Sequence, residues 1–117
     1  MKITVLCYDK CSTCKKALGW LEAHQLPYEK RPIKEEKPTL DELREWHRRS
    51  GLPLKRFFNT SGLLYKELAL KDKLPLMDEE AQLKLLASDG MLVKRPLLLC
   101  GEKVLLGFRE AEWEALL

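Results

Sequence analysis

No uninterrupted apolar run in this 117-residue chain exceeds four residues, Leu97–Cys100 being one. A membrane-spanning helix needs about 20, so the sequence offers no such span. Glycine and proline number only six each, which excludes a collagen-like or low-complexity chain. Charge of one sign is also missing: 21 Lys plus Arg face 18 Asp plus Glu, for a net charge of +3. The charges are interleaved, and the basic clusters are no longer than Lys55-Arg56 and His47-Arg48-Arg49. A nucleic-acid-binding face needs a basic stripe or run, so no direct nucleic-acid partner is expected. Four cysteines are too few for a disulfide scaffold in a chain long enough to build its own core. The first residues, Lys2-Ile3-Thr4-Val5-Leu6, read as strand rather than as the apolar region of a signal peptide. The expectation is one soluble, cytoplasmic domain over residues 1–117. No Ser-His-Asp set, Gly-rich phosphate loop or EF-hand-like carboxylate spacing occurs, and His24 and His47 read as exposed helix residues.

What is present has a clear order. Met1 to Tyr8 alternates as a buried strand. From Cys11 to Gln25 the apolar positions Cys14, Ala17, Leu18 and Leu21 fall at i, i+3, i+4 and i+7, the face of a helix. Tyr28 to Ile33 reads as a weaker strand, with Pro32 tolerated near its end or on an edge. A helical stretch over about residues 39–90 follows. Its parts are a capping box at Thr39-Leu40-Asp41-Glu42 with a stop at Gly51, and a short helix over Leu54 to Phe58. Another turn or two is expected from Tyr65 to Leu70, before Pro75, then a helix capped by Asp78 and ended by Asp89-Gly90. Leu97–Cys100 and Lys103–Leu106 flank Gly101-Glu102 as a hairpin, and Glu110 to Leu117 reads as a closing helix. The three Trp and three Phe residues read as core. The order βαβ, helical insertion, ββα predicts an α/β, thioredoxin-like fold, with a four-stranded mixed sheet and helices on both faces. The start of the Leu97 strand is expected beside the end of the first strand, in parallel pairing.

Cys11-Ser12-Thr13-Cys14 stands where the first strand hands over to the first helix. The unpaired N–H groups and dipole of a helix N-terminus favour the thiolate, which is the nucleophilic form. Cys14, one turn on, is placed to attack a mixed disulfide formed at Cys11. This assigns Cys11 as the exposed attacking sulfur and Cys14 as the buried resolving one. Cys7 and Cys100, each on a strand, read as small buried hydrophobes. A zinc site would ask for a second CxxC, which the chain lacks.

The segment Tyr8-Asp9-Lys10-Cys11-Ser12-Thr13-Cys14-Lys15-Lys16-Ala17 resembles the start of the arsenate reductase (ArsC)/Spx family. So do Lys55 to Gly62, Leu86 to Gly90, Lys94-Arg95-Pro96-Leu97 and Gly107-Phe108, in the right order along nearly the whole chain. The likeness is nearest to the arsenate-reductase-related branch. It implies a thiol-dependent reductase with Cys11 as the redox cysteine. It also implies that Arg95 binds an oxyanion near that sulfur and that Pro96 is the cis-proline beside it. No bound cofactor is implied; the electron donor would be a small thiol or redox protein, such as glutathione or thioredoxin. The alternative is a redox-sensing regulator of the Spx type that contacts RNA polymerase. Two departures bear on arsenate: Asn59 stands where the glutaredoxin-linked enzymes have an arginine, and Arg109 matches a further arginine only with a shift. Weak binding of a multiply charged oxyanion is therefore expected.

Overall fold

A computed structural model describes residues 2–117, which divide into two compact units. The first runs to Pro32 and resumes over Arg95–Leu117; the second is Ile33–Lys94. In the first, β1 (Ile3–Cys7), α1 (Ser12–Ala23) and β2 (Glu29–Pro32) are joined by β3 (Leu97–Cys100) and β4 (Lys103–Leu106). The four strands form one sheet in the order β2-β1-β3-β4. β1 and β2 pair in parallel, as a strand–helix–strand crossover requires. β2 lies on the edge, where Pro32 ends it without breaking a central ladder.

β1 and β3 pair antiparallel, with Leu6 opposite Leu97 and Ile3 opposite Cys100. This corrects the expectation of parallel pairing there. Opposed directions are what set the start of β3 against the end of β1; parallel strands would have matched start to start. The hairpin forms as expected, Leu97 opposite Leu106, with Gly101 at a φ of +58° that a side chain would resist.

One face of α1 packs on this sheet. Cys14, Ala17 and Leu21 are buried with Ile3, Val5, Cys7, Leu98, Cys100, Trp113 and Leu116 in a single apolar cluster. Leu18, Trp20 and Phe108 are only half-buried at its border, so not every aromatic is core. Trp113 is fully covered and donates its indole N–H to the Gly107 carbonyl at 3.2 Å. The closing helix is shorter than the pattern suggests: an α-helical turn, α6 (Glu110–Trp113), tightens into a 3₁₀ turn over Glu114–Leu116.

The second unit is built from α2 (Leu40–Ser50), α3 (Leu63–Glu67), α4 (Leu70–Lys73) and α5 (Glu79–Ser88), with 3₁₀ turns at Leu54–Phe57, Leu74–Leu76 and Gly90–Leu92. Both arms of the Thr39/Glu42 capping box are made, at 3.0 and 3.1 Å, and Gly51 ends the helix in the left-handed region. Asp78 caps α5 by accepting the Ala81 N–H at 2.8 Å. The stretch around Tyr65 to Leu70 departs from expectation. Ala69 has a φ of +53° and splits it into two short helices, and Pro75 falls inside a 3₁₀ turn rather than after the helical stretch. His47 is half-buried rather than exposed, edge-on to Phe57 and 3.7 Å from a Glu79 carboxylate oxygen. A bridge between Phe58 and Val93 ties the residue after the Leu54–Phe57 turn to the last residues of the unit.

Candidate active site

The site lies in the first unit, where β1 passes into α1. Cys11 occupies the N-cap of α1 in extended conformation, and its side chain makes no capping hydrogen bond. A helix start without such a cap leaves first-turn N–H groups for a thiolate or a bound anion. Cys11 is half-buried rather than exposed as expected, whereas Cys14 is 1% exposed within the apolar cluster. All four cysteines are free thiols.

Tyr8 is the residue on which the site converges. Its carbonyl accepts the Cys11 N–H at 3.0 Å. Its backbone N–H hydrogen-bonds to the Cys14 sulfur. The guanidinium carbon of Arg95 lies over its ring, 5.0 Å from the centroid. The β1–β3 register explains the last contact: Leu6 faces Leu97, so two further steps bring Tyr8 opposite Arg95. The Arg95–Pro96 peptide bond is cis, at the proline singled out from the sequence. Tyr8 had read only as the last residue of an alternating strand, and nothing in periodicity marks the hydrogen bonds of its backbone.

Arg95 is left with donors to spare. Its Nε and Nη1 are buried and have no hydrogen-bond partner. Leaving a buried donor unpaired costs about 1–3 kcal/mol, more when it is charged. An anion bound beside either donor would offset part of that cost through a charge-assisted hydrogen bond. Arg109, by contrast, is an exposed residue at the N-cap of α6.

Cys7 also belongs to the thiol cluster. It is 3% exposed, as a small core residue would be, but it shares a hydrogen bond with Cys14. That bond lowers the Cys7 pKa from the ordinary thiol value against the opposing effect of burial. The same bond, with burial, pushes the Cys14 thiol far above the ordinary range. Cys14 is in hydrogen-bond contact with Cys11 as well. Among the described residues no set of His, Cys, Asp or Glu side chains is grouped to hold a metal ion, and no helix is long and apolar enough to cross a membrane.

The ArsC family model matches residues 6–116, nearly the whole chain and every residue of this site. The chain belongs to the ArsC family. Among its relatives, the "Uncharacterized protein YusI" of Bacillus subtilis is 53% identical over 114 residues, 97% of each chain. A crystal structure described as that of "a possible arsenate reductase", from Streptococcus mutans, superposes with a TM-score of 0.90 at 43% identity and covers 98% of both chains. The "Global transcriptional regulator Spx" of Staphylococcus haemolyticus is 29% identical over 111 residues, 94% of this chain and 82% of its own. This ArsC-family chain thus has relatives named as a possible arsenate reductase and as a regulator, and it shares its thioredoxin-like fold with the solved one.

Proposed function

We propose that this protein is a thiol–disulfide reductase, with Cys11 as nucleophile, Cys14 as resolving thiol and Arg95 as the receptor for an anionic group of the substrate. The observation that carries this reading is the convergence on Tyr8. One residue is bonded to the backbone of Cys11 and the sulfur of Cys14, and it lies beneath a guanidinium whose buried donors are unpaired.

The cycle has three steps. The Cys11 thiolate attacks one sulfur of a substrate disulfide, and the other substrate sulfur leaves with the electron pair. Cys14 gives up its proton and attacks the Cys11 sulfur, expelling the second substrate thiol and closing the Cys11–Cys14 disulfide. A small thiol such as glutathione, or a thioredoxin-like protein, then reduces that disulfide, as the reducing cytoplasm allows. A mixed disulfide carrying carboxylates suits Arg95. Arsenate suits the proposed site poorly: Asn59 and the exposed Arg109 leave Arg95 as the guanidinium this reading gives it, and each charge-assisted contact is worth about 1.5–3 kcal/mol. Weak or absent arsenate turnover is expected.

The test is steady-state reduction of a glutathione mixed disulfide, with glutathione or thioredoxin supplied as donor. Turnover in the wild type and its abolition in Cys11→Ser support the reading; equal rates in both contradict it. The Spx relative favours a second reading, in which the Cys11–Cys14 disulfide switches binding to RNA polymerase. Polymerase retained by the oxidised protein but not by the reduced one, with no turnover, would replace the reductase with that regulator.

A further inference from the structure

The second unit holds a cavity of its own. A space of about 190 Å³ is lined by Lys55, Tyr65, Lys71, Leu74, Pro75 and Gln82, all of them within Ile33–Lys94. These residues come from the Leu54–Phe57 turn, α3, α4, the Leu74–Leu76 turn and α5. The walls are tied to one another. The Gln82 side-chain amide donates to the Leu74 and Met77 carbonyls at 3.1 Å each, which pins the turn carrying Leu74 and Pro75 to α5. Tyr65 is buried, with its ring against that of Phe58.

We propose that this cavity anchors an acidic segment of a partner protein, with one phenylalanine- or leucine-sized side chain inside it and flanking carboxylates on Lys55 and Lys71. The site uses none of the thiols, so it goes beyond the reductase reading and stands or falls apart from it.

Size selects the kind of ligand. Sites for cofactors and small-molecule substrates enclose roughly 300–1,000 Å³, whereas a cavity of about 150 Å³ is filled by a benzene-sized group. The volume here therefore suits one side chain of a larger partner. Charge selects the partner. Residues 54–77 supply five of the six lining residues. They carry Lys55, Arg56, Lys66, Lys71 and Lys73 against Glu67 and Asp72, a net +3 that equals the charge of the whole chain. The rest of the chain is thus neutral. On α2 the arginines are matched, Arg44 by Asp41 and Glu80, Arg48 and Arg49 by Glu45. The carboxylates that follow Met77 are engaged too: Asp78 caps α5, Glu79 lies beside His47 and Glu80 pairs with Arg44. Lys55 and Lys71 are exposed and have no ion pair among the described residues. An apolar anchor in a pocket with a charged rim is how protein interfaces concentrate their affinity. Leu76, in the same turn as Pro75, is 88% exposed and offers further apolar surface.

The probe is a fluorescein-labelled synthetic peptide with a central phenylalanine between runs of glutamate, titrated with the full reduced chain and read by fluorescence anisotropy. Replacing the phenylalanine by alanine should weaken binding roughly ten- to a hundredfold, the share of one buried aromatic side chain. Lys55→Ala and Lys71→Ala should each weaken it about two- to fivefold. Both side chains are exposed, so these variants keep the fold. Lys16→Ala, equally exposed but in the first unit, should change nothing. Added salt should weaken the wild-type complex. No measurable binding, equal binding of the two peptides, or a loss in Lys16→Ala as large as in Lys71→Ala would overturn the proposal. A single-stranded oligonucleotide that displaces the peptide at equal concentration would also overturn it, by making the site one for nucleic acid. The peptide carries no sulfur, so failure of the reductase reading leaves every expected result here unchanged.

Discussion

The guanidinium of Arg95 lies 5.0 Å from the centre of the Tyr8 ring, while its Nε and Nη1 are buried without partners. A cation over an aromatic face gains about 0.5–2 kcal/mol, which fixes where the group sits and leaves those two donors unused. Phosphate or sulfate should therefore bind there and slow alkylation of Cys11. In Arg95→Gln the protecting anion should be needed at roughly ten- to a hundredfold higher concentration, the loss of about 1.5–3 kcal/mol. Arg95→Lys should recover part of the protection, since it restores charge without the planar fork. Equal protection in wild type and Arg95→Gln would remove the anion site.

Stability should fall at alkaline pH because of Cys14. Its hydrogen bond to Cys7, with burial, raises its pKa in the folded chain. In the unfolded chain a thiol loses its proton near about 8.5. Above that value the folded state binds more protons than the unfolded one, so stability declines, by up to about 1.4 kcal/mol per pH unit. Cys7 shifts the other way. Its contribution is complete above the unfolded value and is lost only as pH falls through the folded one, so it does not offset the decline. Urea unfolding under reducing conditions should show the wild-type midpoint dropping between pH 8 and 10, and Cys14→Ser should show a shallower drop. Parallel slopes would contradict the assignment.

Two glycines should respond in opposite senses to the same substitution. Gly19 lies within α1, and a methyl group there would meet nothing within 4 Å. Gly19→Ala should stabilise the protein by about 0.5–1 kcal/mol. A methyl group on Gly90 would fall 1.9 Å from the Ile33 carbonyl oxygen, which is backbone and cannot swing aside. Gly90→Ala should cost about 1–3 kcal/mol or more. Thermal unfolding of the two variants reads both signs at once.

Much of this was legible in the amino-acid order, because the signals were local. The alternation before Cys7, the period of Cys14, Ala17 and Leu21, the Thr39/Glu42 box and the turn at Gly101 each depend on neighbours a few residues away. Cys11 at a helix start follows from the same local logic. The parts that were not legible depend on pairing across the chain. The direction of β3 against β1 is set by the sheet, yet it decides that Tyr8 and Arg95 meet. Tyr8 acts through its carbonyl and N–H as much as its ring, and side-chain type does not encode backbone partners. Cys7 has the burial of a hydrophobe, so only the contact with Cys14 distinguishes it from Cys100. Ala69, which breaks the helical stretch with a left-handed residue, carries no glycine to announce it.

The central claim is the division of labour between Cys11 and Cys14, and trapping the mixed disulfide tests it most directly. Reduced wild type and Cys14→Ser are each treated with one equivalent of glutathione disulfide, and intact masses are followed over time. Cys14→Ser should stop as a stable adduct with glutathione on Cys11, while the wild type passes through that adduct to a monomer with an internal disulfide. An adduct on Cys7 or Cys100, or a wild type that accumulates the Cys11 adduct as persistently as Cys14→Ser, would contradict the account.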